Sequence, residues 1–224
     1  MISPGRPLRI VGDVHGDARA FAYAANTDRF VIQLGDLADG GPGATPDNPG
    51  AWRIMLELLD EGRGLFLLGN HDRKLGRALS GKAVRRDAAL DATIASLDES
   101  LRPRVLDAID AAPAWLRIGA LFVVHGGFHP DMLQTPAPPS LGRVTPILAR
   151  ALFGQTTGRM QPDGYPERVL DWVDAIPEGL TVYCGHDRRS TDGRPVAMTG
   201  RRRGAVVFMD TGAGKGGHLS WVDL

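Results

Sequence analysis

Residue types that bind metal ions recur in this chain at the ends of short apolar runs. Asp13 and His15 stand in Gly12-Asp13-Val14-His15-Gly16-Asp17, after Leu8-Arg9-Ile10-Val11. Asp36 and Asp39 follow Phe30-Val31-Ile32-Gln33-Leu34, and Asn70, His71 and Asp72 follow Gly64-Leu65-Phe66-Leu67-Leu68. His125 closes the run Leu121-Phe122-Val123-Val124, and His186 follows Leu180-Thr181-Val182-Tyr183-Cys184-Gly185. Carboxylate, imidazole and amide in one set suit divalent ions such as manganese, iron, zinc or nickel. Two such ions about 3.5–4 Å apart clamp both the attacking and the leaving oxygen of a phosphoryl transfer, and they need a bridging carboxylate. Hydroxide formed between them then serves as the nucleophile, so no Ser or Cys is required for that role. Two-metal hydrolysis is the chemistry these residues predict.

Elements must bring the groups together. Short apolar runs bounded by Gly and Asp read as buried strands, and open α/β sheets bind ligands beyond the carboxyl ends of their strands. Five such ends bearing ligand types imply one shared hollow. Gly12, Gly16, Gly35 and Gly69 permit tight turns and close approach of backbone beside it. Asp17 to Asn26 and Ala51 to Glu61 read as helices between the early strands, the pattern of a parallel sheet with crossover helices. Residues 83–112, polar with Leu and Ile at three- and four-residue intervals, predict a small cap of two helices. Arg194–Met198, Ala205–Met209 and His218–Val222 read as a meander completing a second sheet. The Gly- and Pro-rich stretch from Gly40 to Gly50 serves equally well as a substrate-facing lid or a surface connector. Thr135 to Ser140 reads as an extended loop. With no internal repeat and no boundary, one domain over residues 1–224 is expected.

The ordered motifs GDVHGD, GDLAD, GNHD, HGG, GH and DTG resemble the phosphoprotein-phosphatase branch of the calcineurin-like metallophosphoesterases, from residue 8 to 224. The resemblance implies an α/β fold, a sandwich of two mixed β-sheets flanked by helices. It implies a metal-dependent phosphoric ester hydrolase in which Asp13 and His15 bind one ion and Asp36 bridges to a second. Asn70, His125 and His186 would bind that second ion. His71 would protonate the leaving oxygen, oriented by Asp39, a role suited to a side chain whose ordinary pKa is near 6.5. Manganese is the first expectation for the two ions, with iron, zinc and nickel suiting the same ligands. Gly69 to Leu75, Arg77 to Val84, Phe153 to Gly158 and Asp163 to Arg168 look like the phosphatase module of bacterial polynucleotide kinase-phosphatases. Dinucleoside tetraphosphate hydrolases share the GNHD form and the DTG ending. The substrate implied is a nucleotide or RNA-end phosphate.

Departures matter too. The family's second motif usually ends Asp-Arg-Gly, its arginine gripping phosphate by two parallel bonds. Here the sequence is Asp39-Gly40-Gly41. Arg73, Arg143, Arg159 and Arg168 are candidate replacements, and Arg168 fits best because it matches an arginine of the related modules. Lys215 stands where a bulkier residue is usual, either near the substrate phosphate or as a solvated loop lysine.

Composition bounds the reading. Apolar content of 43% and charged content of 23% are ordinary for a globular enzyme. Lys plus Arg and Asp plus Glu number 26 each, so no overall field draws the chain toward long nucleic acid or an anionic membrane. Arg188-Arg189 and Arg201-Arg202-Arg203 are read as solvated loop charges. The single Cys184 excludes an internal disulfide. With no bilayer-length apolar run and no leader, a cytoplasmic location is the default.

Plainer roles exist for single residues. Asp13 and Asp36 suit helix N-caps, and His125 alone suits a hydrogen-bonded core histidine. Neither reading accounts for His15 and Asn70 in the same pattern. Asp72 and Asp187 suit acceptors orienting a ligand imidazole, or simple turns. His129 and His218 are given no catalytic part. Three functions follow: a phosphoesterase on nucleotide or RNA-end phosphates, a serine/threonine-type protein phosphatase, or a phosphate-binding pseudoenzyme.

Overall fold

A computed structural model describes residues 5–41, 44–161 and 166–224. The chain runs β1 (Leu8–Val11), α1 (Ala18–Ala25), β2 (Phe30–Gln33), α2 (Asn48–Asp60), β3 (Gly64–Phe66) and α3 (Asn70–Leu79). Then come α4 (Ala88–Ser96), α5 (Leu101–Ala111), β4 (Trp115–Ile118), β5 (Leu121–Val124) and α6 (Pro146–Phe153). A hairpin of β6 (Thr156–Met160) and β7 (Pro166–Arg168) precedes β8 (Thr181–Cys184), β9 (Val196–Thr199), β10 (Ala205–Phe208) and β11 (Trp221–Asp223).

The strands form two mixed sheets, ordered β11-β1-β2-β3 and β4-β5-β8-β10-β9. In the first, β1, β2 and β3 are parallel. In the second, β5, β8 and β10 are parallel. Alternate side chains of a strand face opposite ways, and here both faces are covered. Leu8, Ile10, Phe30, Ile32, Val123 and Tyr183 meet between the sheets. Val11, Val31, Phe122, Val124, Val182 and Phe208 join the helix-side core. Burial on both faces is why these strands read as continuous apolar runs rather than alternating ones. The parallel order sends every loop bearing an expected ligand out at the carboxyl end of its strand.

Local chemistry sets the helix starts. The Asp17 side chain accepts from the Ala20 amide and opens α1. Asp47 caps α2, which begins at Asn48, three residues before the sequence pattern suggests, because Pro49 suits the first turn of a helix. α4 and α5 fall within the 83–112 segment, and Leu90, Val105 and Ile109 bury into the main core.

The three-stranded meander expected at the end is corrected. β9 and β10 pair in the second sheet, but β11 crosses to the first and runs antiparallel to β1. Gly12 N donates to Ser220 O and Leu8 N to Leu224 O, so the last strand covers the exposed edge of β1. In the Gly40–Gly50 stretch, residues 42 and 43 lie outside the described residues. Asp47 N donates to Gly16 O at 2.9 Å, holding the described part against the first ligand loop.

Candidate metal centre

Six loops converge. After β1, the backbone turns sharply at His15 (φ 47°); after β2, it does so at Asp36 (φ 57°) and Asp39 (φ 66°); after β8, at His186 (φ 62°). Among the described residues only one other non-glycine residue, Arg203, has a positive φ. Asp and His tolerate this left-handed region better than most side chains, and such backbone strain gathers at functional sites.

The geometry yields two overlapping donor sets. Asp13, His15 and Asp36 offer ligand atoms all within 4.8 Å of one another, as do Asp36, His125 and His186. Asp36 belongs to both, as a bridging carboxylate must. Its Oδ2 lies 3.8 Å from His15 Nε2 and 3.4 Å from His125 Nε2, while its Oδ1 accepts from the His71 amide at the N-terminus of α3. Asn70 Oδ1 lies 3.0 Å from His125 Nε2. The six expected ligands are thus brought together.

Neighbouring groups orient them. A carbonyl only accepts, so His15 Nδ1 donates to Ala38 O (3.0 Å) and His125 Nδ1 to Leu34 O (2.9 Å), turning each Nε2 inward. The Asp13 carboxylate accepts from the His186 amide, at 3.0 Å to Oδ2. That approach requires glycine at 185, where a Cβ would lie 2.0 Å from Asp13 Oδ1. Asp72 accepts from the amides of Asp36 (2.5 Å), Leu37 (3.1 Å) and Gly69 (3.1 Å), tying the second and third loops together. It orients backbone rather than an imidazole.

Electrostatics show a site built for cations. Asp13, Asp36 and Asp210 are buried side by side, and burying charge without compensation is costly. Burial and the Asp210 charge hold Asp13 well above the usual carboxylate range. Burial and the Asp36 charge lift Asp72 to about 7. Burial and the nearby Lys215 push His15 down to about 3, leaving it neutral, the form that ligates metal. Burial and the His125 charge likewise hold His186 well below its usual value. His125 goes the other way: burial lowers it, but Asp36 and Asp13 prevail and lift it to about 10. Divalent ions would neutralise the carboxylates and displace the His125 proton, so these residues fit two metals.

His71 stands beside the donor sets. Its Nδ1 donates to Asp39 Oδ2 at 2.9 Å, and the residue lines the cavity over the cluster. The other Asp39 oxygen accepts from Thr93 Oγ1 at 2.5 Å, and Thr93 Oγ1 accepts from Asn48 Nδ2 at 2.9 Å. Burial lowers the His71 pKa, but the Asp36 charge and the Asp39 hydrogen bond more than offset it, and the net shift is upward.

A cavity of about 410 Å³ opens over this cluster, within the size range of small-ligand sites. Arg168, Arg188, Arg189, Lys215, Asp187 and Asp210 line it along with Asp13, His15, Asp36, His71 and His186. Arg168 NH1 also donates to Phe153 O. Asp163, Gly164 and Tyr165, part of one stretch that carried the family resemblance, lie outside the described residues.

Not every expected arginine arrives. Arg73 is buried, and its Nε and NH2 donate to Ser140 O (3.0 Å) and Gly142 O (2.7 Å), fastening the loop between β5 and α6 instead of facing the cavity. Arg143 is exposed and outside the cavity lining. Arg159 points to solvent and pairs with Glu167. Conversely, Arg188 and Arg189, read as solvated loop charges, line the cavity, while Arg201 and Arg203 form exposed pairs with Asp174 and Glu178. Sequence reasoning gave no role to Asp210, although its DTG motif marked the place, nor to Thr93, for which no sequence signal existed.

Comparison with known proteins places this geometry. Residues 7–187 match the calcineurin-like phosphoesterase family. The chain is 28% identical, over 95% of its length and 88% of the relative, to bis(5'-nucleosyl)-tetraphosphatase PrpE (asymmetrical) of Geobacillus thermodenitrificans. It is 29% identical to the Bacillus subtilis protein of the same name, over 86% of this chain and 74% of that one. A crystal structure of a candidate diadenosine tetraphosphatase shares the fold at a TM-score of 0.61 and 21% identity, covering 100% of this chain and 91% of the other. So does a Saccharomyces cerevisiae serine/threonine phosphatase similar to human phosphatase PP5, at 0.61 and 13%, covering 93% and 68%. The fold and site define a metal-dependent phosphoester hydrolase. The chain belongs to the calcineurin-like phosphoesterase family.

Proposed function

We propose that this chain hydrolyses nucleotide phosphates, with a dinucleoside polyphosphate as the preferred substrate and RNA-end phosphates as the related class. The observation that carries the reading is the pair of donor sets sharing Asp36 beside His71, at the floor of a cavity rimmed by Arg168, Arg188, Arg189 and Lys215. A rim of cations above a two-cation floor suits a ligand with several phosphates. The curated relatives named as bis(5'-nucleosyl)-tetraphosphatases, aligned along nearly the whole chain, support the same class.

Asp13 and His15 would hold one ion, and Asn70, His125 and His186 the other, with Asp36 shared. When bound, the ions supply Lewis-acid polarisation of the phosphorus and a water of lowered pKa. The chain does the rest. His71, when protonated, gives its proton from Nε2 to the departing oxygen. Asp39 fixes the ring through Nδ1, and Thr93 fixes Asp39. Arg168 would steady a phosphate of the substrate as a fork donor.

The test is a substrate panel with metal-stripped protein reloaded with manganese, nickel or zinc. It compares p-nitrophenyl phosphate, its bis ester, a 2′,3′-cyclic nucleotide, diadenosine tetraphosphate and a phosphoserine peptide. The expected order places diadenosine tetraphosphate first by kcat/KM, with turnover abolished in Asp36→Asn. Fastest turnover of the phosphopeptide would establish the protein-phosphatase reading instead. Absence of turnover with two ions bound would leave a phosphate-binding pseudoenzyme.

A further inference from the structure

The loop carrying Lys215 is built into the metal centre rather than hung beside it. Gly41 N donates to Gly214 O at 2.8 Å, joining the end of the second ligand loop to the loop after β10. Gly214, with φ +64°, sits so close to His15 that a Cβ would lie 2.2 Å from His15 O. Lys215 N in turn donates to Gly212 O at 3.0 Å. The side chain then runs past Gly41, where a Cβ would meet Lys215 Cγ at 2.9 Å. Its ammonium ends 2.8 Å from His15 Nε2.

Arg168 NH1 is held by Phe153 O and Arg189 NH2 by Asp187. Lys215 reaches the ligand cluster through its contact with His15. His15 Nε2 is its acceptor only while that lone pair is unused; once the imidazole ligates a metal, the ammonium must find another acceptor in the cavity. The second ligand loop offers no rival cation. Position 40 is glycine, and a Cβ there would meet Pro46 Cβ at 2.9 Å.

We propose that Lys215 is the phosphate-gripping cation of this site, donating to a non-bridging oxygen of the phosphoryl group under attack, in place of an arginine from the second ligand loop. This rests on the phosphohydrolase reading and adds a specificity consequence. An ammonium is a compact point charge with rotatable donors, whereas a guanidinium imposes a planar, bidentate fit. A site gripping through lysine accepts the varied orientations of a polyphosphate chain.

The experiment uses the full chain loaded with two manganese ions, checked by elemental analysis. Isothermal titration with inorganic phosphate compares wild type, Lys215→Met and Lys215→Arg. A charge-assisted hydrogen bond lost from a shielded site weakens binding about 10- to 100-fold, which is the result expected for Lys215→Met at unchanged metal content. Lys215→Arg should retain most of the affinity. KM for the best substrate should rise in the methionine variant more than kcat falls. Unchanged phosphate affinity in Lys215→Met would overturn the proposal, as would tighter metal binding with phosphate affinity unaltered, since the lysine would then only occupy a cation's place. Phosphate titration needs no turnover, so a failed substrate panel would leave this result readable.

Discussion

Replacing His71 by alanine removes the side chain proposed to protonate the leaving oxygen while sparing the backbone that serves the metal centre. The His71 amide donates to Asp36 Oδ1 at 2.9 Å, and that bond survives any substitution except proline. The ring is held by Asp39 at 2.9 Å, and Asp39 by Thr93 at 2.5 Å. Positioned general acids contribute about 10²–10⁴-fold, or about 3–5 kcal/mol of barrier. The full loss is expected for an alkyl or nucleoside phosphate, whose oxygen needs a proton to depart. p-Nitrophenyl phosphate, whose phenolate leaves unaided, should lose far less. The sign of the pH effect follows from the proposed role, since a general acid must carry its proton to act. Wild-type kcat on the poor leaving group should fall as pH rises through the His71 pKa, and the alanine variant should lack that limb. Steady-state kinetics on both substrates across pH 6–9, with two metals confirmed per chain, checks it. Equal losses on the two substrates would refute the general-acid role and make His71 a binding or structural group.

Two further outcomes follow from the buried charges. His125 is lifted to about 10 in the metal-free protein, so it carries a proton that a metal must displace. Manganese affinity should therefore rise with pH between about 6 and 8, with proton release seen by calorimetry in buffers of different ionisation enthalpy. Affinity independent of pH would contradict this. Asp72 is lifted from 3.8 to about 7. Its folded pKa is the higher one, so its contribution to metal-free stability is present below about 4 and is lost as pH rises through about 7. Asp72→Asn should remove that part of the pH dependence of Tm, and an unaltered profile would show that Asp72 does not titrate there.

Strands and site were legible to different depths, for physical reasons. β1, β2, β5 and β8 announced themselves because both faces are buried, so most of their residues are apolar and the run ends where a polar ligand must begin. The partner of β11 was not legible: Trp221-Val222-Asp223 suits either sheet, and the choice depends on which edge lies uncovered. In the β6–β7 pair, β6 is exposed throughout and β7 half-buried, and neither offers a periodic signal. Arginines were the weakest inference. Arg73 and Arg168 look alike in sequence, yet one is consumed by two backbone carbonyls and the other faces the cavity. Thr93 illustrates the limit, since a hydroxyl 54 residues from Asp39 becomes its hydrogen-bond donor only through the packing of α4.

The division of donors between the sheets has a mechanical consequence. Asp13, His15, Asp36 and Asn70 come from loops of the β1–β3 sheet, whereas His125 and His186 come from loops of the β5–β8 sheet. Between the sheets lies only a thin layer of aliphatic and aromatic side chains, which resists separation but does little to resist sliding. On the proposed assignment, the ion held by Asp36, Asn70, His125 and His186 acts as a rivet at one end of that layer. Shear of one sheet against the other would spread its ligands, so the metal fixes the offset of the two halves and the halves fix the spacing of the metals. Catalytic geometry and the alignment of the sandwich are then one property, and a substitution deep between the sheets would register in the active site as a change in metal affinity.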